Sequence, residues 1–268
     1  MMETYRKFLK SDQWEEWRKH ETDRRKGVPV PPPQKPYPEG AIVMDLVASD
    51  DLTVGKMPVL EAIRRRRSRR EFTEEPLTLE ELSFLLWATQ GIDEEATLAF
   101  GDWLATKDPT ALKAQSILRT VPSAGGRHPF ETYLLINRVR GLEPGLYRYL
   151  SVEHKLLFLR AGTELAEQVA DAFMRWVQRS AVVFIWATIP YRMEWGYSIF
   201  AHKMIAQESG HVCQNLYLAS EAIGAGTCAI MYDQAKVDRI LGVDGKDEFA
   251  IYVAPVGKVT LAEYHFDH

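Results

Sequence analysis

The chain has 268 residues, 46% of them hydrophobic, enough to bury a sizeable core in one large domain or two small ones. Its formal net charge of −4 argues against a nucleic-acid-binding domain, which is usually strongly basic, and its two cysteines, Cys213 and Cys228, exclude a disulfide framework. Residues 1–25 lack the apolar core of a secretory signal, and no run reaches the roughly 18–20 apolar residues of a membrane span. A cytoplasmic protein without a membrane partner is the expectation, and so few cysteines suit a reducing compartment.

In chain order, Asp12 and Glu15 read as a capping box for a short helix with Trp14 and Trp17 on one face. Residues 28–38 hold six prolines and can form neither helix nor central strand. They read as an extended arm crossing the surface, or alternatively as a Pro-rich ligand for another domain. Residues 1–38 are therefore set apart from a main domain at 39–268. Pro58 opens a helix carrying Leu60, Ile63 and the arginines. Thr78 and Glu81 form a second capping box, ahead of Leu82, Leu85, Leu86 and Thr89 at helical spacing, with Gly91 closing that helix. Residues 93–118 read as an insertion with a helix of its own, which could act as a lid.

The pattern then turns to strands: 131–137, and a hairpin from 146–150 and 155–160. A helix over 163–178 leads into the apolar strand 181–188, and a long helix spans 198–223. A strand at 227–232, a short helix capped by Asp233 and a last strand at 249–256 complete the order. Strands and helices alternate without a strict βαβ rhythm, which makes the class α+β.

Three features could carry chemistry. Residues 64–70, Arg-Arg-Arg-Arg-Ser-Arg-Arg, form the densest charge cluster. A solvated helix end and a nucleic-acid patch are two readings of it. The third is a binding geometry, in which Arg66, Ser68 and Arg70 alternate along an extended turn and close on one phosphate or carbonyl edge, with Arg67 a neighbour. Pro122-Ser123-Ala124-Gly125-Gly126 is either an ordinary loop or a close approach of backbone N–H groups to a ligand. It matches neither the dinucleotide fingerprint nor a P-loop. His202, His211 and Cys213 share no helix face at metal-ligand spacing, so no metal site is expected.

Arg66-x-Ser68-x-Arg70-x-Phe72, Pro122-Ser123-Ala124-Gly125-Gly126, Gly210-His211-x-x-Gln214-Asn215-Leu216 and Val256-Gly257-Lys258 occur in this order. Together they resemble the nitroreductase-like superfamily of FMN enzymes, and most nearly its azoline dehydrogenase branch. The resemblance implies a nitroreductase-like fold, a mainly antiparallel sheet flanked by helices, in a homodimer with FMN at the subunit interface. It implies Arg66 and Ser68 at the phosphate and Arg70 at the flavin pyrimidine edge, which leaves Arg64, Arg65 and Arg69 to the solvated surface. It places residues 122–126 along the ribityl chain and ring. Met231 and Tyr232 fall where backbone amides meet the flavin, Gln214 lies in the long-helix motif, and Lys258 falls near a late phosphate-binding position. NADH or NADPH would reduce the flavin, and a small nitroaromatic or quinone would reoxidise it. Two other readings stand beside this one: oxidation of peptide azolines, and a non-catalytic scaffold among peptide-modification partners. The azoline branch carries a Lys-Tyr pair before the long helix; here Tyr197 is present but Gly196 occupies the lysine position, and glycine moves no proton. Tyr197 is thus expected to contact substrate, and Met231-Tyr232 is bulkier than the small residues usual there.

Overall fold

Alternation of side chains along the strand Val182–Thr188 explains the architecture of the computed structural model, which describes residues 2–107 and 117–260. Val182, Phe184 and Trp186 enter one apolar cluster, and Val183, Ile185 and Ala187 enter a second. A strand buried on both faces belongs at the centre of a sheet covered on both sides. With Val182–Thr188 as β5, the other strands of its sheet among the described residues are β1 (Val43–Asp45), β2 (Phe130–Ile136), β3 (Gly145–Leu150), β4 (Lys155–Ala161), β6 (Ala225–Thr227) and β7 (Phe249–Lys258). The order is β1-β4-β3-β2-β5-β7-β6, and every neighbouring pair is antiparallel.

The first face packs under two helices, α4 (Leu79–Gln90) and α9 (Ala201–Ala222), through Leu82, Leu85, Leu86, Val212 and Leu216. Each such side chain contributes about 1.5–3 kcal/mol when fully buried. The expected capping box of α4 is present: Glu81 N–H donates to Thr78 Oγ1 at 3.1 Å, and Thr78 N–H donates to Glu81 Oε2 at 2.9 Å. The second face is covered by α6 (Gly162–Ala172), α7 (Arg175–Gln178) and α10 (Gln234–Leu241), with Leu165, Val177, Val237 and Ile240 buried. Asp233 caps α10 as expected, accepting from Lys236 N–H at 3.2 Å.

Several elements depart from the sequence expectation. The N-terminus forms α1 (Met2–Leu9) and α2 (Trp14–Lys19), and α2 is capped by Gln13 without a side-chain bond, so Asp12 and Glu15 make no capping box. Trp14 and Trp17 do share a face, stacked at 4.9 Å and packed on Phe200. The helix expected over 163–178 breaks at Phe173, which turns extended to bury its ring while Gln178 Nε2 donates to its carbonyl at 2.7 Å. Residues 191–197 form a separate helix, α8 (Tyr191–Tyr197), closed by Ser198 at φ 48°. Strand β6 ends at Thr227 instead of running to Tyr232, because Ala229 N–H leaves the sheet to donate to Tyr217 Oη at 2.8 Å. From the segment 93–118, α5 (Glu94–Lys107) is described, with its ends tied by Asp93 N–H to Leu118 O at 3.0 Å; residues 108–116 lie outside the described residues.

The proline arm passes the interior strands β2 and β3 and is bonded to the chain around them at several positions. Arg119 donates to Pro33 O at 3.0 Å, and Arg148 to Lys35 O and Pro36 O, each at 3.0 Å. Lys35 N–H donates to the buried Glu131 carboxylate at 2.7 Å. The prolines have no N–H to give a ladder, and the carbonyls of Pro33, Lys35 and Pro36 accept from guanidinium donors instead.

Candidate functional site

Residues 64–70 leave α3 (Val59–Arg65) as an extended segment lying between α9 and β6. Ser68 pairs with Thr227 as a parallel bridge, and Arg69 N–H donates to Thr227 O at 3.0 Å. This alternation separates the run. Arg69 is expected on the solvated surface with Arg64 and Arg65, but it turns inward. Its Nε and Nη2 donate to the two oxygens of Glu221 at 3.0 and 3.2 Å, with 10% and 2% of the two side chains exposed. Arg65 pairs outside with Glu61 at 2.9 Å. Arg67 donates to the carbonyls of Arg64 and Arg66 at 3.0 and 2.8 Å.

Arg66 and Ser68 are brought together on one phenol. The Arg66 guanidinium carbon lies 5.4 Å from the Tyr217 ring centroid, and Ser68 Oγ is 3.4 Å from Tyr217 Oη. Arg66 is half-buried and Ser68 exposed. Arg70 is exposed and lines a separate hollow of about 430 Å3 with Phe72, Trp176 and Arg179. Lys258 has internal partners: its Nζ donates to the Glu81 carboxylate and, at 2.8 Å, to Ile223 O.

The loop from Pro122 to Gly126 lies over the other end of α9. Gly125 and Gly126 have φ of 60° and 63°, the left-handed region that glycine enters without strain. A Cβ on Gly125 would stand 2.7 Å from Tyr197 Oη, so the loop and the tyrosine are in close contact. Ser123 Oγ accepts from His128 N–H at 2.9 Å, and Ala124 N–H donates to Glu208 Oε1 at 2.6 Å. Glu208 is buried, and burial raises its carboxyl pKa against the opposing bonds from Ala124 and Ser123. Its Oε2 has no hydrogen-bond partner among the described residues. His128 is pushed down to about 2, by burial first and then by the Arg119 charge, so it stays neutral and offers no proton at neutral pH. Gln214 is exposed on α9. Met231 is 92% exposed, and Tyr232 packs into the second cluster with its phenol pushed up to about 12, mainly by burial.

Three organising residues have no counterpart in the sequence reading: Tyr217, Glu221 and Glu208. Tyr217 and Glu221 stand at i and i+4 on α9, and that spacing was the available signal. Nothing in the local pattern announces that Glu208 is buried.

One antiparallel sheet with helices on both faces, carrying an arginine–serine corner at one end of a long helix and a glycine loop near the other, defines the class. The Nitroreductase family model matches residues 63–258, and the chain belongs to that family. The Methanocaldococcus jannaschii protein named "Putative nitroreductase MJ1384" is 30% identical over 214 residues, spanning 76% of this chain and 95% of the relative. A solved Ralstonia eutropha structure, described as "a putative nitroreductase", has a TM-score of 0.63 at 24% identity, covering 87% of this chain and all of that one. A chain of the Escherichia coli microcin synthetase McbBCD complex has the same fold, with a TM-score of 0.55 at 16% identity, covering 85% of this chain and 78% of that one. Among the described residues, no helix is long and apolar enough to cross a membrane.

Proposed function

We propose that the chain is an FMN-dependent oxidoreductase that passes hydride between NADH or NADPH and a small organic acceptor such as a nitroaromatic or quinone. The observation that carries this reading is the convergence of the Arg66 guanidinium and the Ser68 hydroxyl at Tyr217. A planar cationic fork beside a hydroxyl is a donor set suited to a phosphate monoester. The second element is the left-handed glycine turn, whose missing Cβ leaves room for Tyr197 and for close approach of a ring.

In this reading Arg66 and Ser68 hold the phosphate, and Tyr217 orients both. Residues 122–126 lie along the ribityl chain, with Glu208 fixing the loop through Ala124 N–H. The flavin, once bound, supplies the hydride chemistry, and the protein supplies orientation and electrostatics. Lys258 supports the site indirectly by joining α4 to the end of α9. A homodimer completes the proposal. Val59, Leu60 and Ile63 leave α3 more than half exposed, beside an apolar hollow of about 400 Å3 lined by Phe84, Trp87 and Leu218. Such a patch marks an interaction surface, and in this reading a second subunit covers it.

Arg66→Ala removes one charge-assisted bond to phosphate. It is expected to weaken FMN retention by about 1.5–3 kcal/mol. Fluorescence titration of flavin-stripped protein measures this, and an unchanged dissociation constant would refute the assignment.

A further inference from the structure

Tyr197 stands at a strained junction that the N-terminal segment ties down. Ser198, the next residue, has φ 48° and ψ −126°, a conformation that a residue with a Cβ keeps only where its surroundings over-determine it. The peptide leading into that residue carries the Tyr197 carbonyl, and Trp17 Nε1 donates to this carbonyl at 3.0 Å from 180 positions earlier in the chain. Beyond the junction, the rings of Trp17 and Phe200 lie 5.8 Å apart. Other bonds flank this one. Lys203 Nζ donates to Leu9 O at 2.7 Å and to Ser11 Oγ at 2.8 Å. Tyr191 Oη donates to Asp23 Oδ2 at 2.9 Å, Arg24 N–H to Trp195 O at 2.9 Å, and Trp195 Nε1 to Val28 O at 2.9 Å.

Residues 9–28 therefore cross α8 and the start of α9 as a strap, and all of them precede the matched stretch 63–258. What the strap fixes is the place of one phenol. Tyr197 is half-buried, and its Oη packs so closely on the glycine turn that a Cβ on Gly125 would stand 2.7 Å from it. An indole N–H bond is directional, so the peptide between Tyr197 and Ser198 cannot turn without breaking it. Release of that peptide would let the ring leave the turn and open the space beside it.

We infer that Trp17 is a positioning residue for the redox pocket: by holding the Tyr197 carbonyl it keeps the phenol against Gly125 and narrows the pocket to small acceptors. The effect on acceptors rests on the proposed redox function, whereas the placing of the phenol is a property of the chain alone. The N-terminal segment thereby takes part in substrate choice without touching the substrate.

The test uses the full chain with Trp17→Phe, which keeps a ring against Phe200 and removes the N–H donor, with Tyr197→Ala, which removes the phenol, and with both together. Fluorine NMR of the purified chain labelled with fluorotyrosine reads the phenol without turnover, the Tyr197 resonance being the one that Tyr197→Ala lacks. In Trp17→Phe this resonance is expected to move toward the position of free fluorotyrosine. Kinetics reads kcat/KM for benzoquinone over the larger naphthoquinone. Loss of one neutral hydrogen bond is expected to lower this ratio about fivefold in Trp17→Phe. The change should vanish in the Tyr197→Ala background, where no phenol remains to be placed. An indole with a structural role alone would lower the melting temperature and leave the resonance and the ratio in place, which would overturn the inference. An unmoved resonance, an unmoved ratio in the active enzyme, or an equal change of ratio in both backgrounds would each overturn it as well. A colourless, inactive protein whose Tyr197 resonance moves in Trp17→Phe would leave the positioning role standing and remove only the redox reading.

Discussion

Glu221→Ala is expected to destabilise the protein by about 3–5 kcal/mol, because it removes the two-oxygen acceptor of a buried ion pair. Glu221 receives both Nε and Nη2 of Arg69 and faces the amide of Arg67, so it holds the arginine run against α9. Its loss frees the segment that presents Arg66 and Ser68, and flavin retention is expected to fall with stability. Denaturant melts together with FMN titration measure the two effects. The double change Arg69→Met with Glu221→Leu should recover much of the stability, since an apolar pair of similar volume leaves no buried charge. A single variant within about 1 kcal/mol of wild type would contradict this role, because the cost expected for breaking a buried ion pair is several times larger.

The second large effect is expected at the opposite end of the sheet. Glu131 is 3% exposed and accepts from Arg192 at 2.5 Å and from Lys35 N–H at 2.7 Å, while Arg148 stands 4.0 Å away. Glu131→Ala leaves Arg192 and Arg148 buried without their carboxylate, again at a cost of about 3–5 kcal/mol. It also removes the acceptor that holds the proline arm. Limited proteolysis is therefore expected to cut the variant within residues 20–40 well before wild type. The proposed phosphate-binding residues Arg66 and Ser68 lie on other elements, so FMN affinity measured below the melting transition should change much less than in Glu221→Ala. Equal loss of flavin in the two variants would mean that the arm and the phosphate corner form one cooperative unit.

The sheet was largely legible in sequence because each core strand is bounded by turn residues and rich in β-branched and aromatic side chains. The α4 helix was legible for a different reason: its capping box and its leucines agree locally and globally. Failures occur where long-range contacts override local preference. Phe173 breaks a helix that no glycine or proline interrupts, because its ring has a buried place to fill. The strand at β6 ends early because one hydroxyl, that of Tyr217, takes the amide of Ala229 from twelve residues away. At the candidate site, the alternation of Arg66 and Ser68 is what brings both to Tyr217. The same alternation sends Arg69 inward, but its partner Glu221 lies 152 positions along the chain and leaves no trace near residue 69. The glycine turn was legible as a backbone feature, whereas Glu208 beneath it was not.

The absorbance spectrum of the purified protein, taken before and after anaerobic addition of NADH and of NADPH, tests the redox reading most directly. A yellow protein that one or both nicotinamides bleach is the predicted result. A colourless protein that takes up no added FMN would contradict it.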